Sequence, residues 1–296
     1  MREQIVKAIK LANHKTQKIK LNPSVSKHLA QKWICEPFNL PTWDTPIGMD
    51  NNLDMASAYY FFGNAINFGF SPERDSLGPV GNIHFWLTLR SHPELLEPVN
   101  LTQITANQLS DIFGPLSLPE ERATIWRETA RALRLKYNGT VTELYEANHW
   151  NAPEIVQAMS KDFPGFRDAI NGVPFLRRAQ LTLFMTHARF QDSMLFTNLD
   201  RLSVGSDLQV FNGLLQLGVI EIEPEIIQSL MDGFIPPESE LEFEIRCWTI
   251  LSSEILLSDI NALRKDKITT CQLDYLLRQV GTNGRAPLPL AHTTSY

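Results

Sequence analysis

An all-α fold with at most a small β-hairpin follows from three features of the 296-residue sequence. Apolar residues recur at spacings of three and four, candidate helix starts carry Asp, Asn, Ser or Pro with Gly or Asn at the ends, and alternating strand patterns are scarce. Without strand–helix alternation there is no basis for a Rossmann or barrel architecture, and no GxGxxG or GxxxxGK phosphate loop occurs.

In chain order, short helices are expected at residues 25 to 34 and 54 to 67, each opened by a polar or proline residue. Val80 to Leu89 reads as an arm of a hairpin after Gly78-Pro79. A helix follows at 106 to 113. The next begins at Ser117, where Ser117 and Glu120 are spaced as a capping box and Pro119 suits the first turn. Ile125, Trp126, Ala130 and Leu133 form its buried face, and Asn138-Gly139 ends it. Helices are then expected at 153 to 160, 174 to 190 and 207 to 217, a short strand at Val219 to Ile222, and a helix at 224 to 232. The clearest helix runs from about Glu238 to Lys265, where Leu241, Ile245, Trp248, Leu251, Ile255 and Leu256 make one apolar stripe. A last helix spans 270 to 280.

Composition narrows the class of protein. With 43% hydrophobic and 20% charged residues the chain has the balance of an ordinary globular protein, and its prolines are spread rather than gathered in a linker, so a single domain over 1–296 is expected. A net charge of -6 provides no basic field for a polymeric nucleic acid; a small-molecule ligand fits better. The basic stretch from Lys7 to Lys20 reads as a solvated helix face. Cys35, Cys247 and Cys271 are far apart and suggest neither a disulfide framework nor a zinc site. The first residues lack a signal-peptide core and no apolar run is long enough to span a membrane, so a cytoplasmic protein is expected.

Common catalytic motifs are missing: there is no GxSxG or HExxH, and the seven histidines, His187 among them, are scattered singly. The informative region is Pro174 to Gly218. Arg177, Arg178 and Gln180 stand at a helix start, where backbone N–H groups favour an anion, so one arginine is a candidate for a phosphate; pairing with surface carboxylates is the competing reading. Asp207 stands where a helix begins, and taken alone it is an N-cap, a feature that contributes about 1 kcal/mol of stability. Asp274 sits in the apolar helical segment Leu273-Asp274-Tyr275-Leu276-Leu277. A carboxylate there either faces solvent or accepts N–H groups of a ligand.

Taken in order, these residues resemble the queuosine salvage family of queuosine 5'-phosphate N-glycosylase/hydrolases. The resemblance is carried by Asn64-Ala65-Ile66-Asn67-Phe68-Gly69-Phe70, Glu120-Glu121-Arg122, Phe163-Pro164-Gly165-Phe166-Arg167-Asp168, Arg177-Arg178-Ala179-Gln180, Asp207 followed by Gly218, Glu244-Ile245-Arg246 and Leu273-Asp274-Tyr275. It implies a helical fold similar to helical DNA glycosylases, and hydrolysis of the bond between ribose C1' and a 7-deazaguanine-type base. Asp207 would then be the catalytic carboxylate that stabilises oxocarbenium character at C1' or takes a proton from water. Asp274 and Tyr275 would bind the base, Phe68 and Phe70 would supply an aromatic wall, and Arg177 or Arg178 would hold the 5'-phosphate. No metal or other cofactor is implied.

The sequence departs from the family pattern at several pocket positions. Asn64 replaces an aspartate, Ser71 a tryptophan, Gly205 a phenylalanine, Gln209 an arginine and Gln279 an acid, while Thr45 to Met49 lacks the usual histidine. A divergent hydrolase is therefore expected, acting on queuosine 5'-phosphate or a related deazapurine nucleoside. The alternative is a non-catalytic helical nucleoside-binding or scaffold protein.

Overall fold

The computed structural model of the chain describes residues 1–12, 18–40, 49, 52–70, 82–193, 195–231, 235–236 and 238–283. Their α-helices are, in chain order, α1 (Arg2–Ala12), α2 (Pro23–Lys32), α3 (Leu53–Ala65), α4 (Asn82–Ser91), α5 (Pro98–Leu101), α6 (Ala106–Phe113) and α7 (Pro119–Lys136). There follow α8 (Val141–Ala147), α9 (Ala152–Asp162), α10 (Arg177–Arg189), α11 (Leu208–Gln216), α12 (Pro224–Met231), α13 (Glu240–Leu263) and α14 (Thr270–Asn283). Among the described residues strands are confined to two antiparallel pairs, β1 (Ile19–Leu21) with β4 (Ile220–Ile222), and β2 (Ala169–Ile170) with β3 (Val173–Pro174), so the fold is all-α. The chain forms two compact units interleaved along the sequence. The first comprises Met1–Leu40, Ala169–Arg177 and Leu199–Ala291; the second comes chiefly from Pro41–Asp168 and Arg178–Asn198.

In the first unit the long helix α13 is the axis. Its start is capped by Ser239, whose side chain accepts from the Glu242 N–H. Ile245, Leu256, Leu257 and Ile260 are buried against Leu29 and Ala30 of α2, Phe211 and Leu214 of α11, and Leu273 and Leu277 of α14. The helix is buried on more of its circumference than one stripe: Thr249, Ser252 and Ser253 are fully covered, while Ile255, assigned to the stripe from its spacing, is 37% exposed. Small hydroxyl residues let neighbours approach where large ones would hold them off, and the Thr249 hydroxyl is satisfied by the Ile245 carbonyl at 2.7 Å. The strand expected at 219 to 222 forms as β4, and β1 beside it is seated by Glu244, which accepts the N–H groups of Lys18 and Ile19 at 2.9 and 3.0 Å. In α1, Ile5 and Ile9 are one turn apart and buried, so its lysines share a helix with an apolar face.

Helices α11 and α14 meet unusually closely, and two glycines permit it. A Cβ at Gly213 would lie 2.2 Å from the Leu277 carbonyl oxygen, and one at Gly281 would lie 1.9 Å from that of Gln209. Any larger residue at either position separates the two helices.

The second unit is built around α3, whose Tyr59, Tyr60, Phe61, Phe62 and Ala65 are all buried. The Trp126 indole of α7 donates to the Phe62 carbonyl at 2.8 Å, and the Tyr59 hydroxyl donates to the Trp86 carbonyl at 2.9 Å. The hairpin arm expected at Val80 to Leu89 is not a strand over its described residues. They belong to α4, because Phe85, Trp86 and Leu89 share one helical face that is buried, with Trp86 filling the space left by Gly63. Residues 78–81 lie outside the described residues. The capping box expected at Ser117 does not form: Leu118 precedes α7 with φ 51 and provides no side-chain cap. The Ser117 hydroxyl instead donates to the Gly69 carbonyl at 2.5 Å and accepts from Arg122 at 3.1 Å. A complete capping box is found at α6, between Thr105 and Gln108.

Among the described residues no helix is long and apolar enough to cross a membrane, and no group of three or more His, Cys, Asp or Glu side chains is placed to hold a metal ion. The three cysteines are free, Cys35 exposed and Cys247 and Cys271 buried.

Candidate active site

Asp207 caps α11, as its sequence position suggests: Oδ1 accepts the Val210 N–H at 3.0 Å. Its other oxygen does something an ordinary cap does not. Oδ2 accepts from Arg177 Nε at 2.8 Å and lies 2.5 Å from an Arg278 guanidinium nitrogen, with the aspartate side chain only 4% exposed. Burial alone would raise the pKa of this carboxyl, but Arg278 first and Arg177 second outweigh it, helped by the Val210 N–H, and hold the group far below the usual carboxylate range. A buried carboxylate that is ionised at neutral pH results.

Asp274 is also buried, and its partners are internal. It accepts the Gly205 N–H at 2.7 Å and is gripped by Arg278 through Nε at 2.6 Å and a second nitrogen at 3.3 Å. The alternatives raised by the sequence, solvent or a ligand's N–H groups, omitted this arrangement. Its signal was present in the sequence all the same, because Asp274 and Arg278 are one turn apart on a helix. Arg278 thus joins two carboxylates, which push its pKa up against the opposing effect of burial. The buried Cys271 thiol nearby is raised by burial and by Asp274.

The loop leading into Asp207 is clamped residue by residue. Gly205 is held by Asp274 from α14. The Ser206 hydroxyl accepts from Arg246 of α13 at 3.2 Å, and that guanidinium lies 4.3 Å over the Phe175 ring and 3.7 Å from Glu242. Of the segment singled out by resemblance, Arg246 therefore fixes the backbone before Asp207, while Glu244 holds β1.

Tyr275, adjacent to Asp274 in sequence, faces elsewhere. With Trp33, Phe38, Gln272 and Gln279 it lines a cavity of about 630 Å3 in the first unit, and its hydroxyl accepts from Gln279 at 2.7 Å. Asp274 is not among the residues lining that cavity.

The remaining candidates belong to the second unit. Phe68 and Phe70 cover the guanidinium of Arg122, whose carbon lies 4.3 Å and 4.7 Å from their ring centroids. Arg122 donates to the carbonyls of Ile66, Phe68 and Ser117, the last at 2.7 Å, and burial together with Arg178 pulls its pKa down to about 9. Arg178 donates to the Ala65 carbonyl at 3.0 Å and lies 5.2 Å from the Phe68 ring. Asn64 accepts from Asn67 at 2.9 Å and donates toward the Met185 sulfur at 3.4 Å. Ser71 and the segment Thr45 to Gly48, two of the family departures, lie outside the described residues.

The profile of the family described as "Queuosine salvage protein" matches residues 48–295. The chain belongs to the queuosine salvage protein family. Curated relatives to which the chain is similar carry the name queuosine 5'-phosphate N-glycosylase/hydrolase. The protein of Sphaerobacter thermophilus is 28% identical over 291 residues, covering 90% of each chain. That of Dictyostelium discoideum is 27% identical over 251 residues, covering 81% of this chain and 77% of its own. The mouse protein is 23% identical over 279 residues, covering 84% and 82%. In this member of the queuosine salvage family Arg278, a residue outside the motifs that carry the resemblance, joins Asp207 to Asp274, and Arg177 pairs with Asp207 directly.

Proposed function

We propose that this chain is an N-glycosyl hydrolase that releases the base from queuosine 5'-phosphate or a closely related 7-deazaguanine nucleotide, with Asp207 as its catalytic carboxylate. The observation that carries the reading is a buried Asp207 kept ionised at the start of α11 in a chain of this family. Cleavage at C1' develops positive charge on the sugar, and an ionised carboxylate in a water-poor site opposes that charge more effectively than one in solvent. A deazapurine has no N7 to protonate, so the sugar side must provide more of the stabilisation. Of the residues that the family resemblance gives to the substrate, Asp274 is the candidate for the base and Arg177, beside Asp207, for the phosphate, while Tyr275 lines a separate cavity and Phe68, Phe70 and Arg178 belong to the second unit. The substrate is a small molecule, in keeping with the acidic net charge of -6.

A second reading, a non-catalytic nucleoside-binding or scaffold protein, is favoured by one observation: two arginines and two aspartates balance each other in charge around Asp207. The two readings separate on incubation of the protein and its Asp207→Asn variant with queuosine, its 5'-phosphate and a panel of purine and deazapurine nucleosides, with free base followed by mass spectrometry. The hydrolase reading expects release by the wild type, reduced about 100-fold or more in the variant. Binding of these compounds without release would support the second reading.

A further inference from the structure

Gly205 and Arg278 occupy one space between them. A Cβ added at Gly205 would lie 2.5 Å from an Arg278 guanidinium nitrogen, 3.1 Å from Asp274 Oδ1 and 3.6 Å from Asp207 Oδ2. A side chain at 205 and this placement of the guanidinium therefore exclude each other. The same distances put oxygens of both carboxylates around a single point, with Arg278 bonded to each. A guanidinium bonded to two carboxylates sets the directions of both through its planar fork of N–H donors. The placement is rigid because Arg278 lies on the part of α14 that Gly213 and Gly281 allow to press against α11.

On the reading of this chain as a hydrolase acting through Asp207, we propose that Arg278 is a positioning residue of the site: the counter-ion shared by Asp207 and Asp274, which holds Asp207 as a carboxylate and fixes its direction, in the space that Gly205 leaves open.

The other charged groups of the elements packed here are engaged elsewhere, apart from Arg177, which pairs with Asp207 alone of the two acids. On α13, Arg246 and Glu242 form their own pair, Glu244 holds β1, Glu254 binds Arg2, and Asp259 accepts from Ser26. Asp200 and Arg201 line a separate cavity with Met1 and Arg2. Cys271 stays a neutral thiol because burial and Asp274 raise it.

The test compares the wild type with Arg278→Gln, Arg278→Lys and Gly205→Ala, reading the carboxyl carbons of Asp207 and Asp274 by NMR titration and the pH profile of kcat/KM for base release. In Arg278→Gln the Asp207 carboxyl is expected to titrate about 1–3 pH units higher, with the acid limb of the profile moving by the same amount. Arg278→Lys, which keeps a cation at this position, is expected to show little of that shift. Gly205→Ala, which displaces the guanidinium, is expected to reproduce part of it, and to add nothing in the Arg278→Gln background. Should Arg278→Gln fail to fold, Gly205→Ala reads the same shift. Unmoved carboxyl titrations, or a fall in rate with an unchanged acid limb, would overturn the proposal. Absence of base release from every substrate by the wild type would instead overturn the hydrolase reading, and the titration would still decide the role of Arg278.

Discussion

The two units bury arginines by opposite means. In the first, Arg278 and Arg177 meet the carboxylates of Asp207 and Asp274, and the pKa of Arg278 rises. In the second, Arg122 meets carbonyl oxygens and the faces of Phe68 and Phe70, and its pKa falls to about 9. Carbonyl dipoles and ring faces can bind a guanidinium without cancelling its charge, and such an arrangement holds a backbone turn in place. Carboxylates cancel the charge, and the guanidiniums in turn hold Asp207 ionised to lower pH. The first arrangement couples geometry to protonation, whereas the second couples geometry to folding alone.

The largest effects should come from breaking each arrangement at its centre. Arg122→Met strips the Ile66, Phe68 and Ser117 carbonyls of their donor, and Asp207→Asn leaves two buried guanidiniums short of an anion. Each is expected to cost about 3–5 kcal/mol in denaturant unfolding at neutral pH. Their acid behaviour should differ. In the unfolded chain Asp207 takes up its proton near the ordinary value of about 3.9, while in the folded protein it stays ionised to lower pH. The unfolded state then binds more protons in that window, so the stability contributed by the cluster is fully present above about pH 4 and is lost as the pH falls toward the folded-state pKa. Unfolding curves taken from pH 6 downward should show this loss in the wild type and in Arg122→Met, and a shallower one in Asp207→Asn. Equal slopes in all three would erase the distinction between the units.

These clusters also show what the sequence does and does not disclose. Helix positions were legible because burial of one face imposes a period of three to four: α6 coincides with its expected range, and α13 falls two residues short of it at either end. Asp207 was legible as a cap for the same local reason. The α4 helix was not, because Phe85 and Trp86 are adjacent and the face they share with Leu89 is defined by where α3 lies. Ser117 and Glu120 had the spacing of a capping box, but Arg122 and Gly69 compete for the hydroxyl, and no local pattern reports that competition. Asp274 was recognised as a carboxylate in need of partners. Arg278, one turn away, is the other half of the pair, and its bond to Asp207 depends on contact between two helices far apart in sequence that two glycines make possible.

A smaller effect should sharpen the contrast by moving one helix without removing a charge. Gly281→Ala puts a methyl group against the Gln209 carbonyl, and overpacking of this kind costs about 1–3 kcal/mol. Relief requires α14 to retreat from α11, which lengthens the Arg278–Asp207 contact. Base release should fall by more than the loss of folded protein explains, as measured by activity per folded molecule. Gly63→Ala, which forces Trp86 aside within the second unit, should cost comparable stability with less change in that ratio. A matching loss of specific activity at both glycines would mean that general loosening, rather than the Arg278 contact, governs the site.

The smallest effect is expected at Tyr275. Its hydroxyl has one observed bond, from the exposed side chain of Gln279, so Tyr275→Phe should change stability by no more than about 0.5–1 kcal/mol and leave the acid-induced loss of stability unaltered. Its ring still lines the cavity with Trp33 and Phe38, whose rings meet edge to face at 5.9 Å. If that cavity receives the base, removal of the aromatic surface in Tyr275→Ala should raise KM far more than Tyr275→Phe does, with kcat changing less, because a stacking surface binds ground state and transition state alike. If both variants leave KM unchanged, the base is held by Asp274 without Tyr275. The two neighbouring residues would then divide as their side chains do, one toward Asp207 and the other toward a cavity with a separate use.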